Sequence, residues 1–306
     1  MSRKNRTLRD RRIGGVVVGL AVFLLVLGPP AAHALRLSPA MQVGESYALD
    51  LSLEETVATS VELEGESMPL REGKARIALR GTFEVLAVDR WKRPTGRRVV
   101  IDRFVVGATE NESEILPAGT AVLISQSTQT SAAIAADGTP LPPQVASALE
   151  TLFDAWSAVG VDEMFATDMP ALEGTHWPVV PDKALRALGL EDDSIVNPAA
   201  IKGEVRIVGE GSFAGTPCTM SELTLEFPMR DPDGDMPADA KMDIALERSD
   251  CSPLAGAAAP RTQDERYITM LSLPVEGGGV QVTRQERRLR RKLTIPKRSL
   301  AAPEYL

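Results

Sequence analysis

At 306 residues, with 43% apolar, 25% charged and 4% aromatic residues, the chain has a globular composition and room for one large β domain or two ordinary ones. Its net charge of −8 disfavours nucleic acid as a partner, because phosphate binding needs clustered Lys and Arg. With two His and two Cys it also lacks the ligands for a zinc site, and no cofactor is expected.

The N-terminus reads as a processing signal. Arg3, Lys4, Arg6, Arg9, Arg11 and Arg12 form a basic region, Ile13 to Leu27 is apolar, and Ala32-His33-Ala34 is a small-residue site that places cleavage before Leu35. The apolar run is short for a spanning helix, which needs roughly 20 residues. Cleavage leaves 28 basic and 41 acidic residues, a net charge of −13, on a protein expected to be secreted to the periplasm or the cell exterior.

From Tyr47 to Leu63 apolar residues alternate with polar ones, the period of a strand with one face on a core. Gly65 to Gly73 reads as a loop. Alternation resumes from Ala75 to Asp89, Trp91 to Gly96 reads as a hairpin tip, and Val99 to Val106 as the return strand. Ala121 to Gln126 and Ala132 to Ala136 are β-prone, and Asp137-Gly138 is a strong turn dipeptide.

Pro142-Pro143 then opens a helix, proline being acceptable where the N–H groups have no intrahelical partner. Val145, Leu149, Leu152, Phe153 and Trp156 make one apolar stripe over about 143–157, ending before Gly160. At roughly 1.5 to 3 kcal/mol per large side chain, that stripe has to cover a sheet face. A second short helix is predicted from Asp182 to Leu188. Strand patterns follow at Glu204–Val208, Thr219–Phe227, Met242–Arg248, Arg266–Leu273 and Val280–Ile295, with Ser252 to Thr262 as a loop.

Two places repeat at a single offset. Gly73, Arg76, Ile77, Gly81 and Phe83 recur 130 residues later as Gly203, Arg206, Ile207, Gly211 and Phe213. Gly44, Tyr47 and Leu49 recur at the same offset as Gly174, Trp177 and Val179. A tandem duplication follows, with a signal over 1–34, a first β repeat with its closing helix over 35–160, and a second repeat with a basic C-terminal strand over 161–306. The fold class is mainly β (α+β), two antiparallel repeats forming a curved or barrel-like sheet with one helix across a face.

Cys218 and Cys251 flank two predicted strands, and their midpoint falls at Gly234-Asp235 in the intervening turn. A hairpin with its tip there sets the two opposite one another, and in an exported protein they are expected to pair. Asp231, Asp233 and Asp235 resemble the start of a calcium loop, but an EF-hand has Gly at its sixth position and Glu at its twelfth, where this chain has Met236 and Met242. His176, the one His left after cleavage, stands at a predicted strand start, and no G-x-S-x-G elbow accompanies it. The basic run containing Arg287, Arg288, Arg290 and Arg291 reads as a guarded edge strand, as a peripheral contact with anionic lipid or cell-wall polymer, or as an internal partner of the acidic first arm.

A signal peptide, long amphipathic strands, Asp137-Gly138 leading into a covering helix, and the strand start Gly174 to Trp177 together resemble a group of uncharacterised exported bacterial β-rich repeat proteins. A more distant architectural likeness is to lipoprotein-carrier half-barrels of the LolA/LolB kind, which implies a sheet holding an apolar ligand under helices. The function read from the sequence is a non-enzymatic exported protein. It either binds an apolar or amphipathic ligand, with Leu149, Phe153, Trp156 and Trp177 as the candidate lining, or serves as a cell-envelope interaction scaffold. The alternative is a hydrolase using a carboxylate pair or His176.

Overall fold

The computed structural model describes residues 40–296 except 91, 109–110, 128–129, 158–163, 166–172, 189, 191–195, 230–236, 238, 254–257 and 276. The signal segment and its cleavage site lie outside the described residues. Twelve strands and two helices make up the described fold. The strands are β1 (Ser46–Leu63), β2 (Glu66–Val88), β3 (Pro94–Ala108), β4 (Asn111–Leu116), β5 (Ala121–Gln126), β6 (Ser131–Ala135), β7 (His176–Pro178), β8 (Lys202–Phe213), β9 (Thr216–Met229), β10 (Lys241–Pro253), β11 (Arg261–Val275) and β12 (Gly279–Thr294). The helices are α1 (Pro143–Ser157) and α2 (Pro181–Leu188).

All the strands join one antiparallel sheet in the order β6-β5-β3-β2-β1-β12-β11-β10-β9-β8-β7, with β4 beside β3. Each arm is a meander in chain order, and β1 and β12, the first and last strands, pair in the middle from Ala48↔Thr294 to Glu62↔Val280. β6 and β7 end the two arms without pairing, so the sheet does not close into a barrel. The interruption falls where α1 and the segment up to Trp177 intervene.

Period-two burial makes one face of the sheet the packed face. On β1 it carries Tyr47, Leu49, Leu51 and Leu53, all buried. Two separate apolar cores stand on it. The first joins these residues to Leu79, Phe83, Val99, Ile101, Val122 and Ile124 under Val145, Leu149, Leu152 and Phe153 of α1. The second joins Trp177, Val205, Ile207, Leu223, Leu225, Phe227, Ile244 and Leu246 to Ala184 and Leu185 of α2.

Several boundaries differ from the sequence reading. The stretch read as a loop from Gly65 to Gly73 is strand, because Glu64 (φ 52°) and Gly65 (φ 87°) complete a two-residue turn and β2 begins at Glu66. Two left-handed residues match the right-handed twist of the flanking strands, which makes this a tight hairpin. Ser252, Pro253, Arg261 and Thr262, read as loop, extend β10 and β11. β4, with the polar sequence NESEIL, has no alternation to betray it; it lies end to end with β5 along β3.

The arms share a local geometry. Gly44 and Gly174 both have positive φ and both donate their N–H to the neighbouring strand, to Val85 O at 2.8 Å and Ile207 O at 3.0 Å. Tyr47 then stands opposite Phe83, and Trp177 opposite Val205. Gly81 and Gly203, two residues before those partners, each approach a carbonyl of the following strand so closely that a Cβ would sit 2.2 Å from Val100 O or 2.3 Å from Thr224 O. The equivalent residues on β2 and β8 are thus 122 apart, while those on β1 and β7 are 130 apart.

Candidate interaction surface

The candidate lining residues are dispersed by the fold. Leu149 and Phe153 are fully buried in the first core, while Trp177 is in the second, with its indole N–H buried and unbonded among the described residues. The side chain of Trp156 lies outside the described residues. His176 is exposed on β7, opposite Arg206 of β8. Asp231, Asp233 and Asp235 lie outside the described residues, among which no metal-binding cluster of His, Cys, Asp or Glu occurs.

Cys218 and Cys251 form a disulfide with Cα atoms 5.4 Å apart, linking β9 to β10. The register sets Cys251 opposite Met220 and Cys218 opposite Pro253, so the bridge is diagonal, two rungs from the opposed pair that the midpoint suggested. It sits on the face opposite the cores, since Ser221, Leu223, Arg248 and Asp250 occupy the alternate, packed-face positions, yet both cysteines are buried.

Between the two cores the packed face of β10, β11 and β12 is charged. Arg248 donates from Nε to Asp250 Oδ2 at 2.6 Å, and Arg261 Nε to Asp250 Oδ1 at 3.2 Å. Gln263 donates to Glu265 Oε2 at 3.0 Å and accepts a bond from Arg291, while Arg248 stands 4.0 Å from Glu265. All six are at least nine-tenths buried. Burial pushes both carboxyls up, but at Asp250 the guanidiniums of Arg248, Arg261 and Arg291 outweigh it and hold the group below the ordinary aspartate value. At Glu265 burial wins over Arg248 and Arg291, and the carboxyl lies above its ordinary value. Burial, then repulsion from Arg261 and Arg248, lowers Arg291. Cross-strand charges this well enclosed fix the register of β10 to β12 rather than add much net stability.

The basic run of β12 divides by parity. Arg291 belongs to the buried cluster, and Arg287 lies 3.4 Å from Glu55. Arg288 and Arg290 face solvent in an ion-pair ladder, Arg288 at 2.6 Å from Asp264 and Arg290 at 3.1 Å from Glu54. The ladder continues outward through Arg80–Asp50 at 3.2 Å and Arg266–Glu286 at 2.7 Å. This face of the central strands therefore lacks the apolar band with which a transmembrane barrel meets lipid.

An incompletely covered apolar surface lies farther along the same strands. β1 and β12 keep one unbroken register past Leu53 and Leu289, the last buried apolar residues, to the hairpin ends. The ten residues from Glu54 to Leu63 carry the sheet roughly 30 Å beyond the cores. In this extension Val57, Val61 and Leu63 of β1 and Leu271, Leu273 and Val275 of β11 have packed-face parity yet are only half-buried. They flank a polar line on β12 made by Gln281, Thr283 and Gln285. Met68 and Leu70 at the margin are 46% and 61% exposed. β3 pairs with β2 only from Arg76 onward, so Glu66 to Ala75 is a free edge. Pro69, a bulge at that point and the charges of Arg71, Glu72 and Lys74 guard it against strand pairing.

The sequence reading missed this surface because its alternation is that of any half-buried strand. The signal for it was length, since strands of 18 and 23 residues outrun any core of ordinary thickness.

No protein-family model matches the chain, and no curated protein matches it. Among solved structures, OpdQ of Pseudomonas aeruginosa is 8% identical over 81% of this chain and 97% of its own, with a TM-score of 0.17. A deltaS2 mutant of the TodX monoaromatic hydrocarbon channel is 10% identical over 84% of this chain and 93% of its own, with a TM-score of 0.18. A loop L8 deletion mutant of OmpT, an outer membrane protein of Vibrio cholerae, is 8% identical over 81% of this chain and all of its own, also at 0.18. Likenesses at such TM-scores carry no argument about this chain.

Proposed function

We propose that the chain is an exported, non-enzymatic binding protein of the cell envelope, cleaved before Leu35, that holds its ligand or partner on the uncovered extension of β1, β2, β11 and β12. The observation that carries this reading is the half-buried apolar face around Val57, Val61, Leu271 and Leu273, continuous with the packed face yet covered by no described element. Apolar rails on either side of the polar Gln281-Thr283-Gln285 line suit an amphipathic occupant better than a purely apolar one. The disulfide between Cys218 and Cys251 supports an oxidising compartment.

The test is the double variant Val61→Asp and Leu273→Asp in the mature chain. Because neither side chain is in a core, the melting temperature is expected to stay within a few degrees of wild type. Lipids extracted into organic solvent, and envelope components retained in native mass spectrometry, are expected to be lost. Unfolding of the variant would show that the face is a structural contact, and unchanged retention of the bound component would remove it as the binding surface.

A further inference from the structure

Beyond the Glu55–Arg287 pair, the two sides of the extension differ in charge. The side opposite the packed face carries Glu62, Glu72, Lys74, Arg284 and Glu286, whereas the packed-face side carries only Arg71 and Glu66, both exposed on β2. That side is therefore neutral. It consists of four rungs across β2, β1, β12 and β11, the rungs of Val57, Thr59, Val61 and Leu63. On β2, Gly73 stands on the first rung, Arg71 on the second and Glu66 on the fourth. The second and third rungs carry Thr283 and Gln281 on β12, and Leu271 and Leu273 on β11.

We infer that this side of the extension is the interface of a two-fold homodimer, in which the extensions of two copies pack face to face and antiparallel. This rests on the binding reading given above and names the partner as a second copy of the chain. An isologous contact needs a patch that is its own complement, and the order of residues along these strands provides one. A two-fold axis across the strands, midway between the second and third rungs, lays the first rung of one copy on the fourth of the other and the second on the third. Leu63 then meets Val57 of the second copy, Leu271 meets Leu273, and the Thr283 hydroxyl meets the Gln281 amide. Glu66 falls over Gly73 of the second copy, where a Cβ would find nothing within 4 Å. There it is one rung, about 7 Å along the strand, from Arg71 of that copy, a distance that the two long side chains span. The antiparallel arrangement also keeps the helices on the packed face of each copy away from those of the other. Pairing through the free edge of β2 is blocked by Pro69 and its bulge, which leaves the face as the route. Four rungs of four strands cover about 27 Å by 19 Å, so two copies bury on the order of 1,000 Å², the lower limit for a specific interface. The dimer is accordingly a weak one.

The test is sedimentation velocity on the full mature chain over a range on the order of 1 to 500 μM, which brackets an interface of that size. A reversible monomer–dimer equilibrium is expected, and Val61→Asp with Leu273→Asp is expected to abolish it. Arg71→Glu and Glu66→Arg should each weaken the dimer roughly tenfold or more, because each sets like charges against one another across the axis. Both positions are exposed on the free edge of β2, so the two variants should melt with the wild type. An equimolar mixture of the two variants should recover the wild-type affinity to within about threefold, since only the mixed dimer pairs opposite charges at both contacts. A chain that stays monomeric throughout, a dimer indifferent to both reversals, or a mixture no tighter than its components would overturn the assignment. If it falls while Val61→Asp with Leu273→Asp still strips an envelope component from the chain, another occupant holds the face and the binding reading stands. If nothing is stripped either, the face is not a binding surface.

Discussion

Individual residues that fix the strand register are expected to be the least tolerant of change. A Cβ on Gly81 would sit 2.2 Å from Val100 O, whereas one on Gly73 meets nothing within 4 Å. Gly81→Ala should therefore lower stability in urea unfolding by about 1–3 kcal/mol, as overpacking does, and Gly73→Ala should leave it nearly unchanged. Asp250 is the other such residue. Its carboxyl, held low by three guanidiniums against the effect of burial, contributes stability that is complete at neutral pH. That contribution starts to fall as the pH approaches the unfolded aspartate value of about 3.9 and is gone below the depressed folded value. Asp250→Asn should cost about 3–5 kcal/mol at pH 7 by leaving Arg248 and Arg261 without their carboxylate, and should remove this part of the acid unfolding curve. Glu265, whose carboxyl lies above its ordinary value, works with the opposite sign and favours the fold increasingly as the pH falls through that raised value. The sequence marked none of this: Arg248 falls at a predicted strand end, Arg261 in a predicted loop and Asp250 between the two, and their convergence depends on a register that no local pattern states.

At the scale of elements, legibility followed local periodicity. The helix predicted over 143–157 matches α1, because a stripe at helical spacing behind Pro142-Pro143 has no competing reading. β5 matches for a similar reason, being a short apolar run between two turns. The β2 start was missed because Glu66 to Gly73, lying on a free edge with solvent on both faces, has no pressure to alternate. Helix α1 should behave as structure rather than as a movable cover. Phe153 is fully buried, Arg97 lies over its ring at 5.6 Å, and Gln126 accepts from Arg97 at 2.8 Å while donating to Phe153 O at 2.9 Å. Phe153→Ala is expected to cost about 3–5 kcal/mol, measured as a lower urea midpoint with an unchanged slope; a neutral result would mean that α1 is only loosely docked. The local likeness of β1 and β7 was legible through Gly44-x-x-Tyr47 and Gly174-x-x-Trp177. On the next strand the matched motifs stand on different rungs, since spatial equivalence there runs at 122 residues.

For the whole molecule, the decisive contact is the pairing of β1 with β12, which joins the two arms into one sheet and builds the extension on which the proposed function depends. Local patterns mark hairpin neighbours but not which distant strands pair, so neighbours within each arm were legible while the junction of β1 with β12 was not. A chain ended at Gly278 keeps both cores' strands except Leu289 and Leu293 of β12, yet leaves β1 and β11 with open apolar edges. It is expected to run as aggregate in size-exclusion chromatography, and a monomeric, cooperatively unfolding truncation would show that the arms are independent. The same pairing governs when the protein can fold. Ala48 finds its partner in Thr294, 246 residues later, so the middle of the sheet closes only after both arms have been synthesised. Such distant pairings form slowly and leave strand edges open meanwhile. A nascent chain of this design leaves the middle of its sheet open, and hence threadable, until β12 has arrived.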